Sequence, residues 1–147
     1  VSPAGATWVK EVAVMIDVNL AAVAVAAIAV FVVSTVWYSA FGRQLQQLSP
    51  AYADAASNAT PPIWKMGVEI LRGLVVAAVL AGLAGRLEVT DWREGALLGF
   101  TLWIGFPVVL WTGAVMWEKV PLKLATIHAG DWLLKLVVIG ILVSVWS

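Results

Sequence analysis

Apolar residues in this chain gather into long runs, separated by short polar stretches. Four runs stand out, at residues 18–41, 63–85, 95–117 and 121–146. Each is near the roughly 20 residues an α-helix needs to cross a hydrocarbon core. Backbone groups in lipid must be bonded within their own segment, so runs of this kind are helices. Membrane strands would instead show alternating segments of about 10 residues, a pattern absent here. The first run is also longer than the roughly 7–15 residues of a signal-peptide core, so it reads as a retained span. The polar breaks differ in length. Residues 43–62, "RQLQQLSPAYADAASNATPP", form a surface loop with room for a short helix. Residues 86–94, "RLEVTDWRE", are short, with Thr90 and Asp91 as candidate helix caps. "EKVP" at 118–121 is a tight turn. The pattern predicts an all-α, polytopic membrane protein: one domain over 1–147, four transmembrane helices in an antiparallel bundle, both ends on one side. In residues 1–17, Trp8, Val9, Val12 and Ile16 recur at helical spacing, with Lys10, Glu11 and Asp17 elsewhere. This predicts an interfacial helix leading into the first span, with a frayed tail as the plainer alternative.

Composition sharpens the picture. Hydrophobic residues make up 62% and charged residues 12%, against about 45–50% and about 25% in soluble domains. Mean hydropathy is +0.94. The expected location is the cell membrane, with membrane lipids as partners. The net charge of zero offers no footprint for nucleic acid. The absence of Cys excludes disulfides, thiolate metal sites and Cys nucleophiles. Nine Trp residues mark the boundaries: Trp37, Tyr38, Trp64 and Trp117 fall at span ends on one side, and Trp92 and Trp146 on the other, as in an aromatic belt. Trp103, Trp111 and Trp132 lie deeper, as packing residues or, on a sharper reading, a stacking surface for a ligand. Arg43, Lys65, Lys119 and Lys123 flank the side of the long loop, and Lys10, Arg86 and Arg93 the other. The positive-inside rule then puts the loops in the cytoplasm and the termini on the non-cytoplasmic side.

Ionisable residues within the spans are the candidate chemistry. The fourth run holds His128, Asp131 and Lys135. Its 13 Leu, Ile and Val residues contribute about −4 to −8 kcal/mol to insertion, and Asp and Lys at the centre each oppose that by about 2.5–3.5 kcal/mol. Such a helix is marginal alone and needs partners in the bundle. At 100° per residue, His128, Asp131 and Lys135 share one face, and Asp131 and Lys135 are i,i+4 neighbours. The second run holds Glu69 and Arg72, an i,i+3 pair, at the depth of His128 and Asp131. The depth match predicts that Arg72 bonds Asp131, with Glu69 beside His128. The five residues form one expected intramembrane polar network, either holding helix register or serving an ion, proton or anionic ligand.

Backbone features complete the reading. Pro107 lies mid-span, predicting a kink that frees the Trp103 carbonyl at the depth of the Lys135 ammonium; a bond between the two is the sharper expectation, and an ordinary packed Pro kink the plainer one. Gly73, Ala77, Ala81 and Gly85 form a small-residue ladder in the second span, and Gly95 and Gly99 another in the third; such ladders admit close helix contact, within a chain or between chains.

The order of motifs is itself informative. Asn19 precedes Ala-rich sequence, followed by "WYSAFG" at 37–42, "GFTLWIGFP" at 99–107 and "PLKLATIHAGDWLLKL" from 121. Together they resemble domain of unknown function 1761, a family of small bacterial integral membrane proteins, over nearly the whole chain. The family pattern has Pro after Trp-Tyr-Ser and an aromatic after the Ala-Gly of the fourth span; here those positions are Ala40 and Asp131. The resemblance implies four helices in a membrane and no established activity, so no catalytic residues carry over.

Three classes of function remain. Small size and short loops favour a non-enzymatic structural or accessory subunit, acting through helix packing with itself as a homo-oligomer or within a larger complex. The alternative is a small oligomeric proton, ion or small-molecule carrier using Glu69, Arg72, His128, Asp131 and Lys135. An enzyme is the least supported: the sequence has one His, no Cys and no metal-spaced or nucleophile–base motif, and it implies no cofactor.

Overall fold

A computed structural model describes residues 18–58 and 60–146, together with Gly5, Thr7, Trp8 and Lys10. The interfacial helix expected over 1–17 thus lies almost wholly outside the described residues. The first long helix, α1, is Leu20–Ala40. Two short helices follow, α2 (Gly42–Leu48) and α3 (Pro50–Ser57). Next come α4 (Ile63–Arg86), α5 (Trp92–Trp103), a π-helical turn (Ile104–Val108), α6 (Val109–Trp117) and α7 (Leu122–Val145). Counting Trp92–Trp117 as one, four helices among the described residues are long and apolar enough to cross a membrane. Their boundaries lie within a few residues of the apolar runs. The long loop differs more: it is mostly helical, started afresh where Pro50 takes the first turn of α3.

Local chemistry explains the ends. The Asn19 side chain accepts from the amides of Ala21 and Ala22 at 3.1 and 3.2 Å, capping α1. Its amide nitrogen donates to the Trp146 carbonyl at 2.9 Å, tying the start of α1 to the end of α7. After α4, Glu88 takes left-handed backbone with φ 54°, and the Val89 amide reaches back to the Ala84 carbonyl at 2.9 Å, a Schellman stop. Lys119, with φ 59°, turns the chain between α6 and α7. Pro107 produces a π-helical turn: without its N–H the α-helical ladder is broken, and the wider turn takes up the mismatch.

The most buried of the four is α7, which packs against α1, α4, α5 and α6. Its closest partner is α5. A Cβ on Gly99 would fall on the carbonyl of Leu136, and one on Gly95 or Gly140 on the other's carbonyl. Backbone therefore meets backbone, and the third-span ladder works within one chain. In the second span, Gly73 faces the Ala27 carbonyl and Ala77 is fully buried, while Gly85 faces open space. The apolar core joins Val23, Ala26 and Val30 of α1, Ala77 and Leu80 of α4, and Leu136, Ile139 and Val143 of α7. Trp64 and Trp117 are exposed at one end of the bundle, and Trp92 and Trp146 at the other. Trp37 and Tyr38 depart from the expected belt and turn inward.

Candidate functional site: a charged cleft between three helices

Helices α1, α4 and α7 enclose a cleft of about 740 Å3. Tyr52 and Ala55 of α3, with Pro61, border its upper end, and Ala27, Val30, Val76 and Ile139 its inner end. Glu69, Arg72, His128, Asp131 and Lys135 all line it. The shared depth read from the sequence is therefore present. At about 1.5 Å per residue, Glu69 and His128 lie about 9 Å along their helices, Arg72 and Asp131 about 13 Å, and Lys135 about 20 Å.

The pairing differs from expectation. Asp131 bonds Lys135 at 2.7 Å, on its own helix, and Arg72 bonds Glu69 at 2.5 Å, also on its own helix. The expected Arg72–Asp131 bond is replaced by these two local pairs. Residues one turn apart find each other without any adjustment of helix packing, whereas a cross-helix pair needs the helices close at that depth.

The two pairs occupy different surroundings. The side chain of Asp131 is 1% exposed and that of Lys135 16%. Asp131 also accepts from the Ser34 hydroxyl at 2.5 Å and the Tyr38 hydroxyl at 3.4 Å. Lys135 lies 5.3 Å from the Trp132 ring centroid, so the expected bond to the Trp103 carbonyl gives way to a carboxylate and an aromatic face. This inner set joins α1 to α7. Arg72 and Glu69, in contrast, are 54% and 47% exposed, and their bond ties α4 to no other helix.

His128 sits in an aromatic enclosure. Its Nδ1 is 2.7 Å from the Tyr38 hydroxyl and its Nε2 3.4 Å from the Tyr52 hydroxyl. The Trp111 ring stacks on it, with centroids 4.7 Å apart and planes 5° from parallel. One arrangement of protons satisfies every contact with a neutral imidazole. Nδ1–H donates to Tyr38, Tyr38 donates to Asp131, and Tyr52 donates to Nε2. Burial first, then the carboxylates of Asp131 and Glu69, push the Tyr52 phenol up, which keeps it a donor. Two indoles hold this turn of α7 from either side: Trp37 donates to the Ile127 carbonyl at 2.9 Å, and Trp103 to that of Ala129 at 2.7 Å. Gly130 leaves room for the Trp37 ring, which a Cβ would meet at 2.6 Å.

Ser34, Tyr38 and Tyr52 are the site residues that sequence reading missed. Ser34 and Tyr38 lie one turn apart on α1, a signal lost in an apolar run. Tyr52 lies in the polar loop, and nothing in its local sequence points to His128. Of the deeper tryptophans, Trp111 stacks on a side chain of the protein itself. Among the described residues, no group of three or more His, Asp or Glu is placed to hold a metal.

These features define a class: an all-helical protein with four membrane-length helices and a charged cleft between three of them. Within it, the chain belongs to the family described as Protein of unknown function (DUF1761), whose model matches residues 21–144. No curated protein and no solved structure matches the chain.

Proposed function

We propose that this protein is a small, non-enzymatic membrane carrier that takes the polar part of its cargo into the cleft between α1, α4 and α7. The Glu69–Arg72 pair carries the reading. Register between helices accounts for the inner set, because Asp131 joins α1 to α7 through Ser34 and Tyr38. It does not account for Glu69 and Arg72, which among the described residues bond only each other and line the cleft. Charged groups within a span are costly and mark ligand or ion paths. The cleft also lies within a single chain, so a path for cargo needs no pore between copies. The accessory-subunit reading draws on small size and short loops, and the Gly95 and Gly99 ladder that could have met a partner is used inside the bundle.

Access to the cleft tests the proposal. Thr35 lines it, and its hydroxyl bonds the Phe31 carbonyl of its own helix, so Thr35→Cys is a mild change in a chain with no Cys. A carrier exposes such a thiol to an impermeant maleimide from both membrane faces, at different rates. Labelling from one face only, in vesicles of both orientations, overturns the carrier in favour of a static role.

A further inference from the structure

We infer that the group taken into the cleft is the headgroup of a zwitterionic phospholipid, with its phosphate on Arg72 and its primary ammonium on Glu69. The inference rests on the carrier reading and names its cargo.

Charge balance comes first. Glu69, Arg72, Asp131 and Lys135 line the cleft and sum to zero, and the contacts of His128 with Tyr38 and Tyr52 are met by a neutral imidazole, which adds nothing. A lone ion would bring an uncompensated charge to a depth of about 10 Å or more, which a low-dielectric site resists. A zwitterion brings none. Availability comes second. Asp131 is fully buried and already accepts from Lys135, Ser34 and Tyr38. Arg72 spends one N–H on one Glu69 oxygen, leaving the rest of its guanidinium fork and the second carboxylate oxygen for a ligand. A guanidinium suits a phosphate, and a carboxylate suits an ammonium that still carries N–H bonds. The two stand side by side, as do the phosphate and ammonium of a headgroup joined by two carbons.

The shape of the cleft selects a lipid over a soluble zwitterion. Helices α1 and α4 touch at Gly73 and Ala27. Above that contact, residues 63–72 are exposed on every side of α4. The gap between α1 and α4 therefore opens sideways, in the plane of the membrane. Its deeper lining carries an apolar patch, Val30, Phe31, Val76 and Ile139, beside the mutually paired Asp131 and Lys135. A soluble zwitterion would leave that surface wet, whereas an acyl chain below a headgroup covers it.

The test is lipid binding to the full chain in detergent, read by native mass spectrometry. The probes are phosphatidylethanolamine, phosphatidylglycerol with the same chains, and soluble phosphoethanolamine. The expected result is phosphatidylethanolamine binding at least about tenfold tighter than phosphatidylglycerol, with phosphoethanolamine far weaker than either. Glu69→Gln and Arg72→Gln should each abolish that preference while helix content and melting stay as in the parent. Thr35→Phe, which puts a ring into the cleft from an exposed position and touches no charge, should weaken binding of the intact lipid and serves if a charge variant fails to fold. Equal affinity for the two lipids, or a preference unchanged in all three variants, overturns the inference. So does phosphoethanolamine binding as tightly as the intact lipid, which would mark a soluble cargo. Loss of lipid preference with Thr35→Cys still reached from both faces removes this cargo and leaves the carrier. Lipid preference with access from one face keeps the headgroup site and removes transport.

Discussion

Asp131 and Arg72 show how two charged residues at one depth come to different roles. Asp131 is sealed, and its carboxylate lies 2.7 Å from the Lys135 ammonium. Removing one member of a buried pair leaves the other uncompensated, at about 3–5 kcal/mol. Asp131→Asn should therefore destabilise the bundle by about that much in denaturant titrations in micelles. Glu69→Gln leaves Arg72 unpaired, but its side chain is half exposed in a cleft that widens toward the α2–α3 end and is free to extend that way, so the loss there should be smaller. Equal losses would mean that the outer pair is as structural as the inner one. The exchange Arg72→Asp with Asp131→Arg should recover nothing relative to Asp131→Asn, because the two residues share no bond.

Among the helices, the glycine contacts decide which pairs are fixed. Gly99 meets the Leu136 carbonyl directly, so Gly99→Ala must push α5 away from α7, an overpacking cost of about 1–3 kcal/mol. Gly85 ends the other ladder in the sequence, yet nothing lies within 4 Å of where its Cβ would be. Gly85→Ala should be neutral or stabilise by about 0.5–1 kcal/mol, since alanine costs less backbone entropy in a helix. Thermal melts of the two variants, side by side, check the packing. A Gly99→Ala protein as stable as the parent would contradict the backbone contact. The sequence showed both ladders alike. Which one is occupied depends on the rotation of each helix about its axis, and local spacing does not contain that.

At the scale of the molecule, the Asn19–Trp146 bond brings the start of α1 and the end of α7 to one end of the bundle. The α2–α3 segment lies at the other end, where Tyr52 meets His128. Cysteines placed at Ser57 and Val145 should therefore label from opposite membrane faces. Labelling of both from the same face would break the four-crossing topology. The same layout explains the cleft: α1 and α4 meet near mid-length and separate toward the α2–α3 end, and the charges line the widening.

The sequence by itself determined the four helices, their approximate limits and the depth of each ionisable group. Those follow from run length, a fixed rise per residue and the demand that backbone polar groups in lipid bond within their own helix. It also placed Glu69, Arg72, His128, Asp131 and Lys135 in one neighbourhood, and all five line the cleft. Tertiary structure alone decided who bonds whom. Depth is a property of one helix, but a bond between helices depends on the rotation and separation of two. Hence Asp131 took Lys135, Ser34 and Tyr38 in place of Arg72, and Tyr52 crossed from the loop to His128. The spread of α1 from α4, which leaves Glu69 and Arg72 facing a cleft, is set by where Gly73 and Ala27 let the backbones touch.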